Sequence, residues 1–502
     1  MKRIIIIFTL LLLSRLVAAE LTVLTYHDIA ANPGSNQFAV SRSMFVAHMD
    51  YLQEHGYRVL SLKELENIYH QKKAIPNKSV MLTFDDGLKS YYKFVVPVLK
   101  IYNFPSVASI VTAWVDGVNI PAEYQHKIMT WTQLREISKS TLVDVVSHSN
   151  NLHSMVLSNP QGNQAPAAVT RKYFLDNKDY ESETFFRQRI HKDFNRSVER
   201  IKKELKHQPI AIVWPYGRYD SVTSNEATLL GLHLQFNLDS GPTTASVLPK
   251  INRIMLVNSR TIEDFQVEMN YKIRRPSQIN ALRLKLDDFN GLDSEEQQSL
   301  LSDFLDAIQA SNINAIFINP FYAKGNAAFF YNEQITVAAD ILNRITHQLK
   351  FRLSVDEIII DVPKIKSKKL DLPALYEDLS RLIWFTGVLV GTNNFGKIQT
   401  VMGDIGRFRP GLEYGVRNTE SPAKGMHFVL FSERLSKSEQ KIQDLALRIN
   451  NTPVESYLLI KLESNKGKET AAMLIRMREL GVKRLGVSSG VKAFIKYSQA
   501  SF

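Results

Sequence analysis

The 502-residue chain contains no cysteine. Disulfide bonds, thiolate metal sites, a cysteine nucleophile and a lipid-modified cysteine anchor are therefore all excluded. Long apolar runs are also missing after the first 13 residues, so we expect no transmembrane segment in the mature chain. Glycine and proline, at 22 and 18 residues, are too few for a fibrous or disordered chain. These absences leave ordinary globular domains, and the length predicts two to four of them.

A concentration of charge of one sign is missing as well. The formal net charge is +12 with 62 basic and 50 acidic residues, but +3 of it comes from Lys2, Arg3 and Arg15. Residues 20–275 carry 30 basic and 25 acidic side chains (+5), and residues 276–502 carry 29 and 25 (+4). Nucleic acid is therefore not expected as a partner.

The N-terminus has the pattern of a secretory signal peptide. A basic start, Met1-Lys2-Arg3, precedes the apolar run 4–13, and small residues at 17–19 precede Glu20. A membrane anchor is the alternative, but the run has about half of the roughly 20 residues needed to span a bilayer. We expect cleavage near residue 19 and a mature protein that is periplasmic or secreted.

Four short apolar runs each end in polar side chains or a turn. They alternate with helix-like segments at 43–55, 62–71, 91–101, 131–138 and 185–205, which predicts parallel β/α units. In a β/α barrel the C-terminal ends of all strands meet on one face, where active sites lie. Residues from 27 to 217 would then converge in one pocket. The four runs are Leu21–Asp28, Ser79–Gly87, Leu142–His148 and Ile210–Gly217.

The residue types at these strand ends suit a metal-dependent hydrolase. His148 and His153 with Asp86 give two imidazoles and one carboxylate, which leave open positions on a divalent metal. Such a metal polarises a carbonyl and lowers the pKa of bound water from about 15.7 toward 7. Asp85 could accept the proton of that water while Asp86 holds the metal, and His27 could protonate the leaving group.

A turn completes the predicted pocket, although each feature alone also has a structural explanation. A backbone N–H of Pro215-Tyr216-Gly217 could face a developing oxyanion. Asp-Asp-Gly and Pro-Tyr-Gly are common turns, and a histidine at a strand end is often only hydrogen-bonded. The conjunction of four such strand ends favours a site. We interpret the other histidines as surface or structural: His48, His55, His70, His126, His191, His207, His233, His347 and His427.

These motifs resemble those of the carbohydrate esterase family of polysaccharide deacetylases. The signature Thr-Phe-Asp-Asp-Gly stands at 83–87, and the two-histidine motif at 147–153 has the five-residue spacing of one branch. That branch also has its histidine motif near the N-terminus, as at 26–28, and a block like 158–170. It comprises exported poly-β-1,6-N-acetylglucosamine N-deacetylases of biofilm polysaccharide export. The resemblance covers roughly residues 20–275.

The resemblance implies a role for each site residue. Asp85 would be the general base, His27 the general acid and the Tyr216 amide an oxyanion donor. One divalent ion, which could be zinc, nickel, cobalt or iron, would be held by Asp86, His148 and His153. The implied partners are poly-N-acetylglucosamine and an outer-membrane export porin. The alternatives are a deacetylase of peptidoglycan or a β-1,4 polymer, and a polysaccharide-binding export factor with little catalysis.

One departure from the family lies before the Pro-Tyr-Gly turn. Many members have an arginine there, whereas this chain has Val213-Trp214. We interpret Trp214 as a core residue rather than a wall of the sugar site.

The predicted fold class is α/β, with a distorted (β/α) barrel at 20–275 and a reduced (β/α)-barrel-like domain at 276–502. The second domain more weakly resembles the glycoside-hydrolase-like domain of the same deacetylases. Where that family has His-Asp-Asp, this chain has Gly391-Thr392-Asn393, which offers no carboxyl for acid catalysis. We therefore predict a non-hydrolytic, polysaccharide-binding domain. Asp287 and Asp288 are the remaining acidic candidates, and a solvated strand end explains them more simply.

Overall fold

The computed structural model describes eleven stretches of the chain. The signal peptide predicted at 1–19, Asn393 and the predicted boundary between residues 275 and 276 lie outside them. No helix in these stretches is both long enough and apolar enough to cross a membrane. The described residues are 20–160, 162–239, 243–257, 259–269, 278–322, 327–355, 357–363, 370–392, 394–436, 438–463 and 466–501.

The first sheet has ten strands and nearly closes on itself. Arg253 alone separates its last strand, Lys250–Asn252, from Ile254–Met255, which pairs back onto Glu20–Tyr26. A short strand, Arg58–Val59, pairs with Ser79–Phe84. The prediction of a distorted barrel is therefore confirmed. The strand order is Thr243–Thr244, Glu20–Tyr26, Ser79–Phe84, Ser106–Ile110, Val143–Ser147, Ala211–Val213, Leu234–Asn237 and Lys250–Asn252.

The central strands of this sheet are buried on both faces. All six residues of Ser79–Phe84 and all five of Ser106–Ile110 are buried. Because helices cover both faces of a parallel sheet, such strands are apolar runs without alternation. The sequence analysis found Ser79–Phe84 by this pattern. It missed Ser106–Ile110, whose two serines interrupt the apolar run.

The predicted helices of the first half are present, and local capping explains where two of them begin. Ser61 and Glu64 form a capping box before Leu62–Gln71, and Thr130 and Gln133 form another before Trp131–Ile137. The other helices are Arg42–Glu54, Val96–Tyr102 after the π-helical turn Tyr91–Val95, Thr112–Val115, Glu183–Leu205, Ser221–Leu229 and Ile262–Met269. Short two-stranded pairs join Asp28–Ala30 to Ala39–Ser41, Met155–Leu157 to Gln164–Pro166, and Tyr173–Phe174 to Asp179–Tyr180.

The second sheet is a closed barrel of eight parallel strands, so it is complete in strand number rather than reduced. One apolar cluster, which includes Phe317, Phe428 and Tyr457, is formed by residues of these strands, and a larger cluster joins the strands to the helices. The strands are Ile279–Lys285, Ala315–Asn319, Glu357–Val362, Gly387–Val390, Glu413–Arg417, Phe428–Glu433, Glu455–Lys461 and Arg484–Gly490. The helices are Ser294–Ala310, Leu342–Phe351, Leu372–Leu382, Phe395–Gly406, Glu439–Asn450, Gly467–Glu479 and Val491–Ser501.

Two barrel strands that the sequence analysis missed contain a central glycine. A Cβ at Gly415 would lie 2.1 Å from the ring of Phe428, and one at Gly486 would lie 1.6 Å from the carbonyl oxygen of Ala281. Glycine weakens the strand signal of a sequence, but here it permits close packing in the sheet. Gly415 and Gly486 therefore weaken the strand pattern in the sequence and also allow the barrel strands to pack closely.

By internal contacts the chain divides into two units. Unit 1 comprises the chain up to Asn151 with Arg196–Gly217 and Gly231–Lys272, and unit 2 comprises Leu152–Asn195, Arg218–Leu230 and the chain from Ile273. Within unit 2, the buried Arg381 side chain lies 2.7 Å from Glu183, 2.9 Å from Glu377 and 3.7 Å from Asp220. Unit 2 thus includes segments that precede the predicted boundary, and charged side chains link those segments to the barrel helix Leu372–Leu382.

Candidate metal centre

Three predicted metal ligands lie together in the structure. Asp86 follows the strand Ser79–Phe84, His148 follows Val143–Ser147, and the ligand atoms of Asp86, His148 and His153 all lie within 4.8 Å of one another. His148 Nε2 is 3.6 Å from Asp86 Oδ1. Asp86 and His148 are only 1% and 2% exposed. The fold therefore brings two imidazoles and a carboxylate into one sheltered cluster.

The hydrogen bonding of His148 leaves one ring nitrogen available as a ligand. Its Nδ1 is 2.7 Å from the carbonyl oxygen of Val213, and because a carbonyl can only accept, Nδ1 carries the proton. In the neutral ring, Nε2 then has its lone pair on the side of Asp86. Metal-binding histidines commonly have such a second hydrogen bond, which fixes the tautomer and the ring orientation. The donor set fits a divalent ion such as zinc, nickel, cobalt or iron.

A tyrosine that the sequence analysis did not single out also contacts this cluster. Tyr124, in the short helix Ala122–Tyr124, donates a hydrogen bond to Asp86. Burial first, and then the charge of Asp86 and this hydrogen bond, raise the pKa of the Tyr124 hydroxyl. The Tyr124 ring packs against Trp114, with centroids 5.6 Å apart. Tyr124 therefore helps to orient the Asp86 carboxylate.

Asp85 is held as a buried carboxylate. It is 4% exposed, accepts a 2.8 Å hydrogen bond from Ser109 Oγ and faces Arg253 Nη1, which lies 2.9 Å from Oδ1 and 3.0 Å from Oδ2. Burial alone would raise the pKa of Asp85. Electrostatic interaction with Arg253, then with His148 and His27, and the Arg253 hydrogen bond outweigh burial and hold that pKa well below its usual range. Asp85 is consequently ionised at neutral pH.

Arg253, like Tyr124, is a site residue that the sequence did not predict. It is 5% exposed, and its backbone N–H donates to Asn237 O at 3.2 Å. It is the single residue between two short strands and belongs to no recognisable motif. A signal was available in principle, because an ionised carboxylate buried at a strand end requires a cation from elsewhere in the chain.

His27 stands at the end of the first strand, Glu20–Tyr26, and is half-buried. Its ring centroid is 5.5 Å from that of Phe38. Its Nδ1 atom is buried and has no hydrogen-bond partner among the described residues. Its charge also contributes to the lowered pKa of Asp85, so the two side chains lie within electrostatic range. The structure thus brings His27 to the same strand ends as the two aspartates.

The predicted turn is a short 3₁₀ segment, Pro215–Gly217, with a left-handed residue in its centre. Tyr216 has φ +57° and Gly217 has φ +67°. A Cβ on Gly217 would lie 2.6 Å from Leu238 Cβ, so glycine is required there. Burial, and then the charge of Asp86, raise the pKa of the Tyr216 hydroxyl, which places this turn near the cluster. The preceding Trp214 is fully buried, as its interpretation as a core residue predicted.

Asp288, one of the two acidic candidates of the second barrel, and a further buried carboxylate, Asp361, are engaged in structural contacts. Asp288 Oδ2 accepts the backbone N–H of Lys492 at 3.0 Å, at the start of the helix Val491–Ser501. Near the C-terminal strand ends, the buried Asp361 forms ion pairs with Arg283, at 2.6 Å, and with Arg417. These two carboxylates are thus committed to a helix start and to a pair of arginines.

Comparison with known proteins gives concordant matches. Residues 72–234 match the polysaccharide deacetylase family. A poly-β-1,6-N-acetyl-D-glucosamine N-deacetylase of Escherichia coli is 28% identical over 349 residues, which are 66% of this chain and 51% of that protein. The chain thus spans about half the length of this curated relative.

Two solved structures each match about half of the chain. A de-N-acetylase from Aggregatibacter actinomycetemcomitans is 30% identical, with a TM-score of 0.46, over 50% of this chain and 99% of that one. A deacetylase domain from Bordetella bronchiseptica is 33% identical, with a TM-score of 0.42, over 47% and 95%. The family match thus identifies a polysaccharide deacetylase domain that includes residues 72–234 of this chain.

Proposed function

We propose that this protein removes acetyl groups from N-acetylglucosamine units of an exported β-1,6-linked polysaccharide by metal-dependent amide hydrolysis. The observation that carries the proposal is the sheltered cluster of Asp86, His148 and His153 beside the ionised Asp85. An ion-binding set next to a separate carboxylate is what hydrolysis of an unactivated amide requires. The relative in E. coli carries a name of the same activity.

Asp85 would act as the general base. A divalent ion bound by the cluster would supply a Lewis acid for the amide carbonyl and a lowered pKa for a water molecule. Asp85 would take the proton of the attacking water, because it is ionised and adjoins the ligand Asp86 in the chain. Ser109 and Arg253 fix the orientation of its carboxylate. The base is therefore held in one geometry before substrate arrives.

His27 and Tyr216 would complete the reaction. His27 would protonate the departing amine, so that the glucosamine leaves neutral at nitrogen. The backbone N–H of Tyr216 would donate to the oxyanion, and the left-handed turn at 215–217 fixes the direction of that amide. Each role depends on a group that the fold holds near the metal cluster.

The names of the relatives and the N-terminal pattern support an exported polymer as substrate and a location outside the cytoplasm. The predicted signal peptide supports action in the periplasm or outside the cell. We propose poly-N-acetylglucosamine as the principal partner and an outer-membrane export porin as a second one. The ion would be zinc, nickel, cobalt or iron, since two histidines and one carboxylate suit each of them.

The second barrel would bind the polymer without cleaving it. Thr392 and Asn393 stand where the resembled family has acidic residues, and neither can act as an acid catalyst. Asp288 and Asp361 are engaged as described above. This assignment rests on the side chains of the barrel and is independent of the deacetylase chemistry.

Acetate release from N-acetylglucosamine oligomers tests the proposal. The full chain should release acetate from β-1,6-linked oligomers faster than from β-1,4-linked oligomers. Asp85→Asn and His148→Ala should each lower the rate by at least about a hundredfold. His55→Ala, which changes an exposed histidine outside the cluster, is the matched control and should retain the rate. A faster rate on β-1,4-linked oligomers would instead favour peptidoglycan or a β-1,4 polymer as the substrate.

A further inference from the structure

Unit 1 contains a second group of side chains of the types that bind metals. It lies at the opposite end of the strands from the first cluster. Glu66 and His70 are on the helix Leu62–Gln71, and His233 directly precedes the strand Leu234–Asn237. That strand runs parallel to its neighbour Ala211–Val213. Asp85, Asp86 and His148 follow parallel strands, whereas His233 precedes one, so the two groups lie at opposite ends of the strands.

The three side chains have the spacing of a metal site. One ligand atom from each lies within 4.8 Å of the other two. Glu66 Oε1 is 3.3 Å from His233 Nε2 and 3.8 Å from His70 Nε2. Around a tetrahedral zinc ion with bonds of about 2.0–2.1 Å, neighbouring ligand atoms are about 3.3 Å apart. One of the three pairs already has this spacing, and a rotation of the exposed His70 ring can shorten the other two, both of which involve His70.

The hydrogen bonding of His233 also suits a ligand. Its Nδ1 lies 3.1 Å from the carbonyl oxygen of Gly231, so Nδ1 donates and the lone pair of a neutral ring is on Nε2. That Nε2 atom is buried and has no hydrogen-bond partner among the described residues, although it faces Glu66 Oε1. A lone pair that faces a carboxylate is repulsive unless a cation lies between them. A proton or a metal ion between His233 Nε2 and Glu66 Oε1 would remove this repulsion.

The surroundings favour a cation. Burial raises the pKa of Asp144, and the charge of Glu66 adds to that rise, so a second carboxylate lies within electrostatic range of Glu66. The ring of Tyr69 lies 6.2 Å from that of His233 and shields one side of the cluster. Helical spacing explains the pairing of Glu66 with His70, but it does not explain why a histidine 163 positions further along the chain joins them.

We propose that Glu66, His70 and His233 form a second divalent-metal site, which takes a borderline transition ion such as zinc. The bound ion would tie the helix Leu62–Gln71 to the start of the strand Leu234–Asn237. With three protein ligands and partial exposure, it would keep an open position for water and exchange more readily than an ion in the buried centre. This site is independent of the proposed deacetylase activity.

Zinc stoichiometry of the full chain, measured by equilibrium dialysis at neutral pH, tests the proposal. The unmodified chain should bind two zinc ions, and His148→Ala should retain one. His233→Ala combined with His148→Ala should retain none, and His70→Ala in the His148→Ala background should weaken zinc binding by at least about tenfold. His55→Ala in the same background is the matched control and should keep one ion.

Cobalt substitution gives a readout that does not depend on counting. In the His148→Ala chain, cobalt should produce a ligand-field absorption that His233→Ala removes while the circular dichroism spectrum is unchanged. Unaltered zinc binding after His233→Ala and His70→Ala would overturn the site and leave a protonated ion pair with Glu66. Loss of all zinc on His148→Ala would overturn it too. If the buried centre is instead the faulty assignment, His148→Ala and the unmodified chain will bind the same single ion.

Discussion

Replacement of Arg253 by alanine should destabilise unit 1, and mainly while Asp85 is charged. The Nη1 atom of Arg253 contacts both oxygens of Asp85, and each side chain is at most 5% exposed. Truncation leaves Asp85 as a buried carboxylate with Ser109 as its remaining described hydrogen-bond donor. Loss of one partner of a buried ion pair costs about 3–5 kcal/mol. For a unit of this size that corresponds to a fall in Tm of roughly 6–20 °C.

The sign of the pH dependence follows from the lowered pKa of Asp85. A carboxyl whose pKa is lower in the folded state contributes stability above its unfolded-state pKa, which is about 3.9, and loses it as the pH falls toward the folded-state value. In the unmodified chain the stability that the charged Asp85 contributes should therefore be full above about pH 5 and shrink below pH 4, and the cost of Arg253→Ala should be smaller in acid than at neutral pH.

A double-mutant cycle isolates this interaction. The cycle compares the unfolding of the unmodified chain, Arg253→Ala, Asp85→Asn and the double variant, all in the presence of a chelator. Tryptophan fluorescence is a suitable probe because three of the four tryptophans, Trp114, Trp131 and Trp214, lie in unit 1. The cost of Arg253→Ala should be smaller by at least about 2 kcal/mol when residue 85 is uncharged. An equal cost in both backgrounds would mean that Arg253 stabilises unit 1 by packing alone and not by its charge.

Three further predictions concern the turn, unit 2 and the second barrel. Gly217→Ala should lower acetate release at least about tenfold, because its Cβ would overlap Leu238 and move the Tyr216 amide; an unchanged rate would dissociate the turn from catalysis. Arg381→Ala should destabilise unit 2 by about 3–5 kcal/mol, because Glu183, Asp220 and Glu377 lose a buried cation. Thermal unfolding measures this loss. Arg448→Ala, which removes a surface ion pair, is the control and should cost under about 1 kcal/mol. The Asp85→Asn chain should leave β-1,6-linked glucosamine oligomers at full length by mass spectrometry, and shortened products would show that the second barrel is hydrolytic.

The fold of the first half could be predicted because its strands are continuous apolar runs. Ser79–Phe84 and Val143–Ser147 were placed to within a few residues, and the polar groups that follow them do lie together. The strand Ser106–Ile110 was not predicted, because its two serines interrupt the apolar run although both are buried in the folded protein. Ser109, one of these serines, hydrogen-bonds to Asp85, so the departure from the strand pattern coincides with the site.

The site residues that were not predicted contact residues far from them in the sequence. Arg253 lies 168 positions after Asp85, and Tyr124 lies 38 positions after Asp86 in a segment without regular periodicity. His70 and His233 looked like ordinary surface histidines in the sequence, because only the sheet brings them together. Local motifs predict the site residues that lie close together in the sequence. The side chains that orient or neutralise those residues come from distant segments, and only the closed sheet brings them into contact.

In the proposed reaction, amide hydrolysis depends on an ion held by Asp86, His148 and His153. Acetate release from β-1,6-linked N-acetylglucosamine oligomers, measured before chelation, after removal of metal and after addition of zinc, nickel, cobalt or iron, tests it most directly. The rate should fall to background without metal and return with at least one of the four ions, but not in His148→Ala. A full rate in metal-free chain, or restored activity in His148→Ala, would contradict the account.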